Sequence, residues 1–187
     1  MRSLCLLLLL ASTSSAADRG VRVTAPEKLF PPMKALVIVK AGEPGPGLAK
    51  HQPIASIDRY KETLKFSTEG PYDVWWQPKT GQPVRVLANL TLKDGEEREI
   101  KLADLLGIVT FRGDEQPRAS LVTIAPQDDP GPGEKGHRAI QTAHEFRVDM
   151  VVPDGFYSLW ITPENNGRPR KIIDRFRAQA GKSVQLD

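Results

Sequence analysis

The feature that most constrains this chain is a short segment that occurs twice. The segment GPYDVWWQP at residues 70–78 recurs as GFYSLWITP at residues 155–163. Glycine, tyrosine, tryptophan and proline coincide in the two copies. Each copy is typical of a β-strand that a glycine turn opens and a proline closes. A strand repeated in this way predicts that a whole structural unit is duplicated.

Further matches follow in the same order along both halves of the chain. The matched segments are 35–39 with 120–124, 43–47 with 129–133, 64–66 with 146–148, 81–83 with 167–169, and 100–102 with 184–186. Single residues match as well, namely His51 with His137, Ile54 with Ile140, and Gly95 with Gly181. So many matches in one order indicate a tandem duplication.

The pattern within each copy predicts an all-β fold. About seven short apolar runs alternate with Pro, Gly, Asn and Asp, and no window has the apolar period of a long helix. We therefore predict two tandem small antiparallel Greek-key β-sandwiches after an N-terminal signal peptide. The predicted boundaries are 1–17 for the signal peptide, 18–102 for repeat 1, 103–106 for a short linker and 107–187 for repeat 2. Leu105 and Leu106 are expected to pack between the repeats and fix their angle.

The first seventeen residues have the composition of a secretory signal peptide. Arg2 supplies the positive charge, residues 4–11 form a short apolar run, and small residues at 14–17 predict cleavage after Ala16 or Ala17. The run is too short to span a membrane, and no second apolar stretch follows. The sequence thus predicts a secreted or periplasmic protein without a transmembrane anchor.

Cleavage would remove Cys5, the one cysteine, so the mature protein is expected to have no disulfide. It would also lower the formal net charge from +3 by one, through the loss of Arg2. A charge so close to neutral gives no basis for a nucleic-acid partner.

The second copy resembles a known group of domains. Its order is Gly107-Ile108-Val109, residues 119–122, residues 146–152, residues 154–160 and a closing GKSVQL at 181–186. This order is similar to the carboxypeptidase-regulatory-like domains, which share a prealbumin-like (transthyretin-like) sandwich with Cna-B repeats. The resemblance covers the second copy well and the first mostly through the duplication. It implies a non-catalytic accessory or surface module.

Catalysis has little support in the sequence. No cysteine follows the signal peptide and no Gly-x-Ser-x-Gly elbow occurs, so we predict no catalytic residue, no cofactor and no enzymatic activity. The histidines, His51, His137 and His144, lack metal-ligand spacing and are predicted to be exposed loop residues. The alternative is a small metal-dependent enzyme with zinc held by His137, His144 and Asp128 or Asp129.

Two proline–glycine loops occupy matching positions. They are Pro44-Gly45-Pro46-Gly47 and Pro130-Gly131-Pro132-Gly133. A phosphate cradle needs inward-pointing N–H groups, which proline lacks, so we predict stiff surface connections. Whether the loops have a role beyond connection is left open by the sequence.

The tryptophans allow two interpretations. Side chains alternate along a strand, so Tyr72, Val74 and Trp76 are predicted to face inward and Trp75 outward. Trp160 takes the outward position in the second copy. Either loops or the other module cover these two rings, which we favour, or the rings form a platform for sugars. The candidate ligand-binding residues are then Trp75, Asp73, Gln77, Trp160, Ser158 and Thr162.

The leading hypothesis is an exported, non-enzymatic β-sandwich protein with a structural, adhesion or accessory role at the cell envelope. Its partner there would be a protein or a glycan. The alternative is a carbohydrate-binding module that uses Trp75 and Trp160. The predicted core residues are Phe66, Tyr72, Val74, Trp76, Leu121, Val148, Tyr157, Leu159 and Ile161.

Overall fold

The computed structural model describes residues 18–26, 29–79, 81–113, 119–164 and 167–187. The predicted signal peptide lies outside the described residues. The strands of the first half are β1 (Arg19–Thr24), β2 (Met33–Lys40), β3 (Ala55–Ile57), β4 (Thr63–Phe66), β5 (Tyr72–Pro78), β6 (Val84–Leu90) and β7 (Glu97–Lys101). Those of the second half are β8 (Leu106–Phe111), β9 (Ala119–Pro126), β10 (Gln141–Ala143), β11 (Asp149–Pro153), β12 (Gly155–Pro163), β13 (Arg170–Ala178) and β14 (Ser183–Leu186). A single 3-10 turn, Leu102–Asp104, is the only helix among the described residues, so the predicted all-β class is confirmed.

The strand order shows the duplication directly. The first half forms the sheets β4-β1-β7 and β3-β2-β5-β6, and the second half forms β11-β8-β14 and β10-β9-β12-β13. Each strand of the first half corresponds to the strand seven places later, giving two small sandwiches, here called module 1 and module 2. In both modules the first and last strands pair in parallel, whereas the other pairings are antiparallel. The pairings are therefore mostly antiparallel, in agreement with the prediction of two small antiparallel β-sandwiches.

A tyrosine fixes the start of the repeated strand in each module. Tyr72 is fully buried, and its hydroxyl donates to the carbonyl of Thr68, four residues upstream. The Tyr157 hydroxyl donates in the same way to the carbonyl of Pro153, at 2.8 Å. This local bond holds the turn against the strand that follows it, as tyrosine corners do in other sandwiches. The match between the two copies thus extends to a side-chain contact.

Alternation along β5 and β12 fills the two cores as predicted. Tyr72, Val74 and Trp76 each have no exposed surface. The remaining predicted core residues that are buried are Phe66, Tyr157, Leu159 and Ile161. The predicted faces of the repeated strand are therefore correct in both modules.

Leu121 was predicted to be a core residue and is not. β9 pairs Val122 with Ile161 and Leu121 with Thr162, so Leu121 is only half-buried on the outer side of the strand. In module 1 the corresponding partner of Trp76 is Leu36. The sequence match between the two segments was therefore wrong by one residue, and such a slip turns a side chain to the opposite face.

Val148 is a second correction. β11 begins at Asp149, and its core side chains are Met150 and Val152. Val148 lies just before the strand and packs half-buried against the margin of this core. Phe66 pairs across the sheet with Arg19. The equivalent pair in module 2 joins Val152 to Gly107, so Val152 rather than Val148 corresponds to Phe66. The strand was placed too early because the segment leading to it differs between the two copies.

The two modules share one apolar cluster at their junction. Leu106, Ile108 and Val151 come from module 2 but belong to the core cluster of module 1. Along β8 the alternate residues Val109 and Phe111 point into the core of module 2. Strand β8 thus contributes one face to each module. Leu105 also packs half-buried against the first cluster.

A pair of glutamines adds hydrogen bonds across this junction. The Gln141 amide oxygen accepts the Gln82 backbone N–H at 3.2 Å, and its Nε2 donates to the Gln82 carbonyl at 3.0 Å. Gln82 Nε2 in turn donates to Thr142 Oγ1 at 2.6 Å. Gln141 is buried, so its two bonds to the Gln82 backbone satisfy an amide group that water cannot reach easily. Together with the shared apolar cluster, they fix the angle between the modules.

Replacing Trp76 with alanine is expected to lower the free energy of unfolding by about 3–5 kcal/mol, because a buried indole is removed and a cavity remains. Trp76 packs edge-on against Phe30 at 6.2 Å, and its Nε1 donates to the Tyr60 hydroxyl at 3.1 Å. Urea denaturation measures the change. The control is Phe156→Ala, which truncates an aromatic ring that is 45% exposed and should change stability by less than about 1 kcal/mol. An unchanged midpoint for Trp76→Ala would contradict the assigned strand register.

Candidate functional site

Trp75 lies on the outer face of β5, between Val37 of β2 and Arg85 of β6. The first proline–glycine loop folds over its ring. A Cβ atom on Gly45 would stand 2.6 Å from Trp75 Cζ2, so only glycine permits this approach. From the strand side, the Arg85 guanidinium stands 5.9 Å from the ring centroid. The indole is half-buried as a result.

Trp160 has the same arrangement in module 2. The second proline–glycine loop brings Gly131 against the ring, where a Cβ atom would stand 2.6 Å from Trp160 Cζ3. Lys171 takes the place of Arg85, with its Nζ 5.0 Å from the ring centroid. Both loops therefore have a packing role, which is to cover an indole that strand alternation turns outward.

The polar neighbours of the tryptophans are largely engaged within the fold. Asp73 is buried and pairs with Arg85 at 3.2 Å, and its carboxylate also accepts the backbone N–H groups of Gly42 and Asn89. Ser158 is buried and accepts the Trp160 Nε1–H at 3.0 Å. These contacts occupy groups that a sugar would need.

Gln77 and Thr162 complete the six candidate residues, and both are half-buried. The structure groups the candidates by module, with Trp75, Asp73 and Gln77 along β5 and the other three along β12.

The two tryptophans differ in one respect. Trp75 borders a cleft of about 710 Å³ between the modules, together with Leu48, Arg85 and Ile140. Its indole N–H is buried and has no hydrogen-bond partner among the described residues. Trp160 is not part of this cleft, and its indole N–H is satisfied by Ser158. The repeated strand has therefore acquired different surroundings in the two modules.

The buried Asp129 holds the second proline–glycine loop in place. The sequence had indicated this residue only as an alternative zinc ligand. The Asp129 carboxylate accepts the N–H of Gly131 at 2.8 Å and the N–H of Arg138 at 2.7 Å. His137 Nδ1 lies 2.5 Å from the same carboxylate. Burial raises the pKa of Asp129, but the hydrogen bonds from His137, Arg138 and Gly131 outweigh burial and leave the pKa lowered.

Two of the three histidines therefore contact the proline–glycine loop that precedes them. His137 and His51 are half-buried rather than exposed as predicted, and His51 Nδ1 lies 2.9 Å from the Pro44 carbonyl. His144 is exposed, as predicted. Within the described ranges, no group of three or more His, Cys, Asp or Glu side chains is placed to hold a metal ion. The retained spacing from loop to histidine was the one sequence signal for these contacts.

No helix in the part of the chain that the structure describes is long and apolar enough to cross a membrane.

Comparison with known proteins adds little. The chain matches no protein-family model and no curated protein. Two solved chains match it, and one is described as the Bacillus anthracis TIE protein, at 10% sequence identity and a TM-score of 0.31. That match covers 91% of this chain and 34% of the other, so this chain spans about a third of that protein. A TM-score this low does not indicate a shared fold.

Gly131→Ala is expected to displace the second loop and expose Trp160. The Gly131 φ of 104° already disfavours alanine by about 1–2 kcal/mol, and the added methyl group also collides with the indole. The matched control is Gly133→Ala, which has a φ of 90° but no atom within 4 Å of the added Cβ. Acrylamide quenching of tryptophan fluorescence should increase for Gly131→Ala alone. Equal quenching in the two variants would show that Gly131 does not hold the cover.

Asp129→Asn is expected to lower the free energy of unfolding at neutral pH by about 1–3 kcal/mol, because a buried charged acceptor is lost. The folded pKa of Asp129 is lowered, so its stabilisation is present above the unfolded pKa of about 3.8 and is lost as the pH falls through the folded value. Denaturation measured from pH 7 to pH 2 should therefore show a steeper acid-induced loss in the wild type than in Asp129→Asn. Parallel curves would contradict the role of this carboxylate.

Proposed function

We propose that this chain is an exported, non-enzymatic protein of two β-sandwich modules with a structural, adhesion or accessory role at the cell envelope. The resemblance of module 2 to carboxypeptidase-regulatory-like domains agrees with this role. So does the sequence of residues 1–17, which is typical of a secretory signal peptide.

The observation that carries the proposal is the buried junction between the modules. Ile108 and Val151 are apolar and buried where module 2 meets module 1. At the equivalent register positions module 1 has Gly20 and Lys65, and Lys65 faces solvent. Residues at matching positions therefore differ between the modules. Those of module 2 are apolar and join it to module 1, whereas Lys65 of module 1 faces water. A rigid spacer with differentiated ends is suited to present surfaces at a fixed distance.

A carbohydrate-binding module that uses the tryptophans is the second candidate. The observation in its favour is that Trp75 borders the cleft between the modules. Against it, Gly45 and Gly131 lie on the faces where a sugar ring would stack. Titration with envelope polysaccharides separates the two candidates, because stacking quenches tryptophan fluorescence. We expect no saturable quenching. Quenching that Trp75→Ala or Trp160→Ala abolishes, with folding intact, would favour the second candidate.

Export itself is tested by expressing the full chain with a C-terminal tag in its native host. The expected result is tagged protein in the envelope or extracellular fraction, with an N-terminus at Ala17 or Asp18. The control is a variant with Leu6, Leu7 and Leu8 replaced by Asp, which should stay in the cytoplasm because the apolar run is broken. Wild-type protein that keeps Met1 and stays in the cytoplasm would overturn the proposal.

A further inference from the structure

The two proline–glycine loops have the same hydrogen bonds within their backbones. In the first loop the N–H of Leu48 donates to the Gly45 carbonyl at 3.2 Å, and the N–H of His51 donates to the Leu48 carbonyl at 3.3 Å. In the second loop Glu134 and His137 form the equivalent bonds, at 3.1 Å and 3.2 Å. Any difference in how firmly the loops are held must therefore come from their side chains and from the residues at their ends.

The acidic residue at the start of each loop is one such difference. The buried Asp129 carboxylate accepts two backbone N–H groups of the second loop and contacts His137. Glu43 takes its place in the first loop, where its longer side chain is exposed. Among the described residues, the Glu43 carboxylate has no hydrogen bond or ion pair, and His51 contacts the Pro44 carbonyl instead. The first loop thus lacks the side-chain bonds that hold the second.

Backbone geometry also disfavours the observed position of the first loop. Lys50 has a left-handed φ of 65°, whereas the second loop has Gly136 at the equivalent position, with a φ of 94°. A lysine is less stable than a glycine in this region, because its Cβ atom crowds the backbone. The first loop would lose this strain if it moved, whereas the second loop carries no such strain at Gly136.

Gly42, at the base of the first loop, is suited to act as a hinge. Its N–H donates to the buried Asp73 carboxylate at 3.2 Å, which fixes the base of the loop on β5. Its φ is 83°, and no atom lies within 4 Å of a Cβ atom added there. A glycine with open space around it can take up a large change in dihedral angles. The second loop has Asp128 at this position.

The indole under the first loop is also less firmly held than its counterpart. The Trp75 Nε1–H is buried and has no hydrogen-bond partner within the described ranges, whereas the Trp160 Nε1–H donates to Ser158. A buried donor without a partner is stabilised by any motion that admits water to it. Trp75 and Leu48, which is 61% exposed, border the same cleft between the modules. Movement of the first loop away from the ring would therefore join the indole to that cleft.

We propose that residues 43–51 form a hinged lid, which opens at Gly42 and exposes Trp75 to the cleft between the modules. The second loop is a fixed cover on Trp160, because Asp129 holds it. The closed lid is the resting state, since Gly45 packs on the ring. A ligand in the cleft can contact the covered face of the indole and its N–H only while the lid is open. The lid depends neither on export of the chain nor on the class of ligand.

Hydrogen exchange followed by NMR tests the lid on the mature chain, residues 18–187, at neutral pH. We expect the Trp75 indole N–H to exchange about tenfold or more faster than the Trp160 indole N–H, because the first loop opens more readily. Trp76 is fully buried in the core of module 1, so its indole N–H reports global unfolding and should exchange more slowly than that of Trp75.

A variant tests whether Asp129 makes the difference between the loops. Asp129→Asn removes the charged acceptor, and the amides of residues 131–138 should then exchange about tenfold or more faster. The amides of the lid should keep their wild-type rates. The matched control is Asp128→Asn, which changes the exposed neighbouring acid and should leave exchange in both loops unchanged. Thermal melting confirms that each variant folds.

Two results would overturn the proposal. One is a Trp75 indole N–H that exchanges as slowly as that of Trp160 or only with global unfolding. The other is an Asp129→Asn variant in which residues 131–138 keep their wild-type exchange rates. Neither result bears on whether the chain is exported, which the fractionation experiment decides separately.

Discussion

The burial of module 2 residues in the core of module 1 is the interaction on which the whole architecture depends. The chain contains one cysteine, so no disulfide within the chain can join or brace the two sandwiches. Each sandwich is small, and small domains bury a lower fraction of their surface and are correspondingly marginal. Placing Leu106, Ile108 and Val151 against module 1 enlarges one apolar cluster at the expense of exposed surface. The modules therefore stabilise each other, and the fixed angle follows from this packing.

The packing of loops on the two outward-facing indoles covers apolar surface that the repeated strand would otherwise expose to solvent. Alternation must turn one side of β5 and β12 outward, and both strands place a tryptophan there. Gly45 and Gly131 bring the loop backbone into contact with the rings. The contact between His137 and the Asp129 carboxylate holds the second loop in place. This covering of the indoles explains why both copies have a proline–glycine loop that a histidine follows in the chain. It also supports a structural role for the tryptophans over sugar stacking.

Divergence between the copies reveals more than their similarity does. Where the fold needs the same contact, the residues agree, as with the two tyrosines and the left-handed glycines Gly95 and Gly181. Where the surroundings differ, the residues differ in charge or polarity. Lys65 faces solvent where Val151 is buried, and Glu99 is paired where Gln185 is neutral.

The sequence alone determined the class of fold, the duplication and the faces of the repeated strand. These depend on local rules, namely turn residues and a side-chain period of two, which any reader of the chain can apply. The sequence-based prediction of core residues was wrong at Leu121 and Val148, because pairing across the sheet decides which residues of the two modules correspond. A comparison of residue types does not detect a shift of one residue or a loop of different length. The burial of Asp73 and Ser158 and the covering of the two indoles by glycines could likewise not be predicted from the sequence. Each depends on segments distant in the chain meeting in space, and only the tertiary structure decides which of them meet.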